Sequence, residues 1–279
     1  MFENRIIVLS PVHNEGATLE LTLEAVIKQT VLPIAWVFVN DHSTDNTVDI
    51  IKKWRKKYNW IVLIESPNEL TENYGPKIVS VRRHGYEYIQ NNNIEYDFLA
   101  HLDADIVLPP NYFEKIVEAF NQDDRLGICG GVLRNAMTNK LEMSKKWWVR
   151  DGLRVYRKAC TDQIGYQKVM WAHDSSDLLY ALYKGWNVLN IDVIALHLRP
   201  TGNKMKLKYC FEIGYDIRRL GYNFICAMCK SYKYIKKRPY LIGCFYFIGG
   251  YLYSSLSRSS FCYEKEFRQF LNRFYLQNL

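Results

Sequence analysis

The stretch Arg5–Glu15, RIIVLSPVHNE, decides how the rest of the chain is read. Ile6 to Leu9 are four consecutive large aliphatic residues, the look of a strand buried on both faces. The run then breaks abruptly into polar residues over Ser10–Glu15. The same construction recurs three times. Ala35–Asn40 (AWVFVN) runs into Asp41-His-Ser43, Trp60–Glu65 (WIVLIE) follows, and Asp97–Leu102 (DFLAHL) runs into Asp103-Ala-Asp105. Between these runs lie helical stripes: Leu19, Leu23, Val26 and Ile27, then Val48, Ile51 and Trp54. Asp45 or Thr44 suits the N-cap of the second helix. Strand–helix alternation predicts an α/β fold, a mostly parallel Rossmann-like sheet with helices on its faces. Ligands of such sheets bind outside the carboxyl ends of the strands, so three polar motifs are expected at one site.

Composition narrows the class. The chain has 279 residues, 48% hydrophobic and 24% charged, ordinary for a globular protein. The formal net charge of +8 is unevenly placed: ten Lys or Arg lie between Lys204 and Arg238 against two acids, Glu212 and Asp216. Seven cysteines have no regular spacing, and Cys226-Ala-Met-Cys229 is a CxxC without a second pair. Reduced thiols are expected rather than zinc. The opening MFENRIIVLSPVHNE reads as a first strand and not as a signal peptide, which predicts a cytoplasmic chain.

Asp103 and Asp105, read as the continuation of a strand, would point to the same side and repel unless a cation sat between them. A hard divalent ion suits such a pair when substrate phosphates complete its shell. An isolated DxD is more often a turn, here ahead of Leu108-Pro109-Pro110. The sequence has neither GxxxxGK[ST] nor GxGxxG, so P-loop hydrolysis and dinucleotide redox chemistry lose their usual support. A nucleotidyltransferase would want a Gly-rich basic first loop, which PVHNEG does not supply. Asp41 could accept hydrogen bonds from a base or ribose, and His13 could stack on a base; their bland readings are a turn residue and a loop residue. Later, Gly130-Gly131 points to a bend or a close backbone approach, and Trp147-Trp148 to a packed or substrate-facing pair. A polar loop over His173–Asp177 is expected before a helix Leu178–Lys184 ended by Gly185, then a strand over 187–197.

Together these segments resemble the family 2 glycosyltransferases, inverting enzymes of the GT-A fold. Pro11, His13, Asn14 and Glu15 match their opening P-x-(Y/H)-N-E. Asn40–Thr47 matches D-D-G-S-T-D-x-T, with Asn40 for the first Asp and His42 for Gly. Asp103-Ala-Asp105 matches the DxD, and Asn73-x-Gly75 with Arg82 the N-x-G…A-R segment at a longer interval. The resemblance implies a UDP- or GDP-sugar donor and a divalent cation, Mn²⁺ or Mg²⁺. It places the donor on Pro11, His13, Asn14, Glu15, Asp41, Arg82 and Asp103, and the metal on Asp105 and Asp103. His197 is similar to the late histidine that some GT-A enzymes use as a further ligand; its bland reading is an ordinary strand-end residue. Lys204 or Arg199 could offset phosphate charge. The catalytic base falls in His173-Asp174-Ser175-Ser176-Asp177, on Asp174 if Gly185-Trp186 is the anchor and on Asp177 if Asp177-Leu178 is.

Residues 1–203 are thus expected to form the GT-A domain and 204–279 a basic, aromatic helical extension. Tyr240–Leu256 carries no charge but is short for a membrane span, and Lys236-Lys237-Arg238-Pro239 precedes it. Two readings stand: peripheral docking on the inner face of the cytoplasmic membrane, or a buried helical hairpin. No nucleic-acid module accompanies the charge, so nucleic acid is not an expected partner. The tail is also similar to that of bacterial enzymes of surface-polysaccharide assembly, which implies a glycan or lipid-linked acceptor. The rival class is a membrane-docked protein that binds a nucleotide sugar without turning it over.

Overall fold

A computed structural model describes residues 4–67, 74–142, 145–199, 206–235 and 240–278. Asn73, the turn after Arg199, Lys204 and the Lys236–Pro239 run lie outside the described residues. The chain folds as two units, Met1–Val169 with Lys184–Pro200, and Met170–Tyr183 with Thr201–Leu279.

The first unit is built on an eight-stranded sheet. Its strands are β1 (Ile6–Val12), β2 (Ala35–Asn40), β3 (Ile61–Glu65), β4 (Phe98–His101), β5 (Ile106–Val107), β6 (Leu126–Asn135), β7 (Arg154–Arg157) and β8 (Asn187–His197), and they lie in the order β3-β2-β1-β4-β7-β6-β8-β5. The first four pair in parallel, as the alternating sequence predicts. Antiparallel β7 then joins β4 to β6, and β8 lies parallel to β6 and antiparallel to β5. Strand alternation divides the core cleanly. Ile6, Val8, Trp36, Phe38 and Phe98 face α1 (Leu19–Ile27), α2 (Thr47–Arg55) and α4 (Tyr112–Gln122). Ile7, Leu9, Val37, Val39 and Leu99 face α3 (Tyr74–Asn91). Each such fully buried side chain contributes about 1.5–3 kcal/mol, which is why near-continuous apolar runs form central strands here. Gly85 lets α3 lie close on the sheet: a β-carbon there would sit 2.4 Å from Leu9 Cδ1 and 2.7 Å from Val39 Cγ2.

β7, with the sequence RVYR, is buried despite two arginines because each finds partners inside: Arg154 donates to the Val149 carbonyl and the Tyr156 hydroxyl. Arg157 donates to the carbonyls of Phe120, Leu126 and Asp123, placing its charge at the C-terminal end of α4 where free carbonyls collect. Gly130-Gly131 marks a close approach, as expected. A β-carbon on Gly131 would lie 2.4 Å from the Val193 carbonyl, and the β6–β8 register shifts there. Trp147 and Trp148 meet edge to face at 5.6 Å.

The second unit is helical: α6 (His173–Tyr183), α7 (Leu207–Leu220), α8 (Phe224–Ile235), α9 (Ile242–Leu256) and α10 (Lys265–Gln277), with α5 (Lys158–Ile164) belonging to the first. The polar segment His173–Asp177 is not a loop. Ser175 Oγ and Ser176 Oγ bond back to the Ala172 and His173 carbonyls, so the hydroxyls follow the helix and it starts five residues early. Gly185, at φ +88, lies just beyond its end. Tyr180 and Tyr183 pack edge-on to Phe267 of α10, at 5.0 and 5.4 Å. Helices α7 and α9 cross almost backbone to backbone. A β-carbon on Gly214 would lie 1.8 Å from the Phe247 carbonyl oxygen, and one on Gly250 1.9 Å from that of Phe211. Among the described residues no helix is long and apolar enough to cross a membrane.

His101, in the middle of the sheet, carries a pH prediction. Its Nε2 meets the Tyr166 hydroxyl at 2.8 Å and its Nδ1 the Asp151 carboxylate at 3.4 Å. Burial lowers its pKa to about 4; Asp151 opposes this, while Arg82 and Arg154 reinforce it. An imidazole whose folded pKa lies below the unfolded 6.5 stabilises the fold above pH 6.5, and that share is lost as pH falls toward 4. The loss amounts to about 3 kcal/mol at most. Urea unfolding of wild type at pH 7.5 and 5.0 should show a steeper fall than in His101→Gln. Equal slopes would remove His101 from the acid sensitivity.

Candidate active site

The polar motifs gather at the carboxyl ends of β1, β2 and β4, which are neighbours in the sheet. Ser10, fully buried, ties these ends together. Its Oγ donates to the Leu102 carbonyl at 2.6 Å and accepts from Trp36 Nε1 at 2.9 Å. Pro11 lies within β1, opposite Val39.

The loops after β1 and β2 then lock onto each other. Asn14 takes a left-handed backbone, φ +56, and its side-chain oxygen accepts from the backbone N–H groups of Thr44 and Asp45 at 2.8 and 3.2 Å. His13 Nδ1 donates to the Asp41 carbonyl at 2.5 Å while the ring stays exposed. The N-cap of α2 is Asn46 rather than Asp45 or Thr44; Asp45, one residue earlier, accepts from the Thr47 N–H at 3.0 Å. Much of the P-x-H-N-E and N-D-H-S-T-D pattern thus serves to hold two loops in one shape. Asp41 remains at the floor, nearly buried, its carboxylate 2.9 Å from Lys77 Nζ and 3.3 Å from Ser66 Oγ.

The two aspartates of the DxD do not continue β4. Pairing with β1 ends at His101, and Ile106 N–H bonds to the Asp103 carbonyl, closing a turn. The strand-based expectation that both carboxylates share a face therefore fails; they diverge. Asp103, about a third exposed, accepts from Arg82 Nη2 at 2.8 Å, and Arg82 in turn pairs with Asp151. Burial and the carboxylates of Asp105 and Asp151 raise the Asp103 pKa, against the pull of Arg82. Arg82 is 1% exposed, so it sits behind the DxD and braces it. Asp151 also accepts from Gln167 Nε2 at 2.8 Å, so the brace is anchored on two sides.

Asp105 turns the other way. The β5–β8 register sets Ile106 opposite His197 and brings the His197 Nε2 to 3.6 Å from Asp105 Oδ2. Glu142 receives the opposite ring nitrogen of His197 at 2.6 Å. Arg199 bridges two carboxylates, with Nε 2.9 Å from Asp105 and Nη2 2.6 Å from Glu15. The bond to Asp105 raises the His197 pKa to about 9 against burial, and Glu142 adds to the rise. Burial tends to raise the Asp105 pKa, but His197 and Arg199 outweigh it and lower it overall. Burial raises that of Glu15.

These donors fit a divalent cation in part. A carboxylate oxygen and an imidazole nitrogen 3.6 Å apart can meet on one ion, and Glu142 behind His197 is the orienting carboxylate such ligands use. Among the described residues no group of three His, Cys, Asp or Glu could hold an ion unaided, so phosphate oxygens would have to complete the shell. Asp174 and Asp177 lie in the second unit, in the first turns of α6, Asp174 exposed and Asp177 5% exposed. Sequence reading missed Asp151 and Glu142. Their only local signal is an acid beside Arg150 and Gly152, or one isolated at the end of a polar turn.

Residues 7–174, more than half of the chain, match the glycosyl transferase family 2 model. The chain belongs to glycosyl transferase family 2. A relative from Escherichia coli (strain K12), uncharacterized glycosyltransferase YibD, is 27% identical over 124 residues, 43% of this chain and 32% of its own length. The poly-beta-1,6-N-acetyl-D-glucosamine synthase of Staphylococcus aureus (strain COL) is 28% identical over 119 residues, 43% of this chain and 26% of its own. The chain thus spans about a third or less of the length of these relatives. Among solved structures, S. aureus TarS 1-349 in complex with UDP-GlcNAc superposes with a TM-score of 0.57 at 15% identity, covering 92% of this chain and 73% of that one. GalNAc-T7 with UDP, GalNAc and Mn²⁺ gives 0.61 at 14%, covering 81% and 50%. The shared fold is GT-A, as the sequence resemblance implied.

Proposed function

We propose that this family 2 chain transfers a sugar, with inversion, from a UDP- or GDP-sugar to a hydroxyl of a glycan or lipid-linked glycan in cell-surface polysaccharide synthesis. The observation that carries the reading is the meeting of Asp41, Glu15, Asp103 and Asp105 at adjacent strand ends, with His197 set beside Asp105. Asp41 reads the nucleoside from the floor of the site, with His13 at its rim, while Pro11 and Asn14 shape the loop. Asp103, braced by Arg82, faces the ribose. Asp105 and His197 would hold Mn²⁺ or Mg²⁺ with the diphosphate, Asp103 lying alongside. What a cation bound there supplies is Lewis acidity at the leaving nucleoside diphosphate.

Arg199 offers the diphosphate a second positive group once it leaves Glu15 and Asp105. The acceptor hydroxyl is deprotonated by Asp174, with Asp177 the alternative; exposure favours Asp174, and the buried Asp177 suits a structural place in α6. A lipid-linked acceptor agrees with a cytoplasmic protein working at the inner face of the membrane. The rival reading, donor binding without turnover, is separated by the same experiment. A thermal-shift panel of nucleoside diphosphates and their sugars, with and without Mn²⁺, should show a metal-dependent rise of several degrees. Released nucleoside diphosphate from the stabilising sugar indicates an enzyme. Absence of any metal-dependent shift sinks the proposal.

A further inference from the structure

The second unit displays apolar surface that its own packing does not use. Helix α9 is apolar on both sides. Its inner face, Gly243, Phe247, Gly250, Tyr251 and Ser254, is buried. The outer residues Phe245, Leu252 and Leu256 are 74%, 44% and 83% exposed, at spacings that keep them on one stripe, with Tyr246, 44% exposed, on its flank. Neighbouring α8 adds Ile225 and Met228, 66% and 46% exposed. Isolated exposed apolar residues are ordinary, but a stripe of them on one helix with more on its neighbour marks an interaction surface.

Charge decides the partner. Between Asp216 and Glu264 there is no acidic residue, and eight Lys or Arg. A second copy would bring this basic stretch, with Lys230 and Lys233 on α8 itself, against like charge. An anionic lipid headgroup layer is complementary to it, and takes apolar side chains just below. At 15 residues α9 is about 22 Å long, short of a hydrocarbon core of about 30 Å, so it would lie in the interface rather than cross. Exposed tyrosines at its start and along it, Tyr240 and Tyr253 with Tyr246, are residues that favour the headgroup level.

We infer that the outer faces of α8 and α9 form a monotopic docking surface for an anionic lipid bilayer. This goes beyond the transfer chemistry and does not depend on it.

The test is co-sedimentation of the full chain with vesicles. Phosphatidylcholine containing about a third phosphatidylglycerol should bind it at least about tenfold more tightly than phosphatidylcholine alone, and high salt should weaken binding. Phe245→Ser combined with Leu252→Ser removes exposed side chains only, so the fold should persist, checked by circular dichroism. Partition to anionic vesicles should fall at least about tenfold, while the wild-type response to nucleotide and Mn²⁺ is retained. Wild type that stays in the supernatant, or a double variant that sediments like wild type, overturns the inference. So does concentration-dependent dimerisation lost in the double variant without lipid binding by wild type. Failure of the nucleotide response with vesicle binding intact would instead count against the transferase reading alone.

Discussion

Asp105→Asn should abolish the metal-dependent part of the donor-induced thermal shift while leaving the fold in place. The asparagine keeps the size of the side chain and an oxygen that can accept from Arg199, so the turn over Asp103–Ile106 has little reason to change. What disappears is the negative charge that would share a cation with His197 and the diphosphate. A ligand at 100 times its Kd stabilises by about 2.7 kcal/mol, which is a shift of several degrees for a chain of this size. In the variant the rise with Mn²⁺ should collapse to the rise without it. The check is a Mn²⁺ titration at fixed nucleoside diphosphate for both proteins. A variant that keeps the full metal-dependent rise would move the ligand to another carboxylate, and Asp103 would be next in line.

The second large effect is on stability. Arg82→Met should cost about 3 kcal/mol, measured by urea unfolding at neutral pH. Methionine fills much of the space, but Asp103 and Asp151 then share no guanidinium. Asp151 is 12% exposed and Asp103 37%, so water relieves the second more than the first, which places the loss at the low end for a broken buried pair. Arg82→Lys should recover part of the stability only, because one ammonium cannot fork between two carboxylates. A loss under about 1 kcal/mol in Arg82→Met would mean that the brace holds nothing.

The parts of this protein that were legible in the sequence are those written in local apolar pattern. Strands 35–40 and 187–197 are legible to the residue, and the parallel pairing of the first four strands follows from strand–helix alternation, though not their order. The family resemblance rested on residues at strand ends, and the family 2 match covers them. What stayed hidden is pairing between distant segments. Nothing near Asp103 announces Asp151, 48 positions on, and nothing near His197 announces Glu142. The DxD turn is not legible because a turn and a strand end look alike in so short a stretch. The first turns of α6 are hidden because serines and aspartates count against a helix in propensity, whereas here two of its serines bond back to the helix carbonyls. β7 is hidden because two arginines in four residues resemble a surface strand, and their carbonyl partners lie elsewhere in the sequence.

The place of β8 also fixes when the site comes into being. β5, the two-residue edge strand that follows Asp105, has β8 as its neighbour, and their paired residues lie about ninety positions apart in sequence. A chain emerging from the ribosome can close β1, β2, β3 and β4 from nearby segments, but β5 waits for residues 196 and 197. Pairing over such a separation is slow, since the loop must be closed before any contact rewards it. Asp105 therefore meets His197 and Arg199 late, after Asp41 has met Ser66 and Lys77. The two ends of the site have different birthdays: under the proposed function, the groups that would read a base are in place before those that would meet a diphosphate.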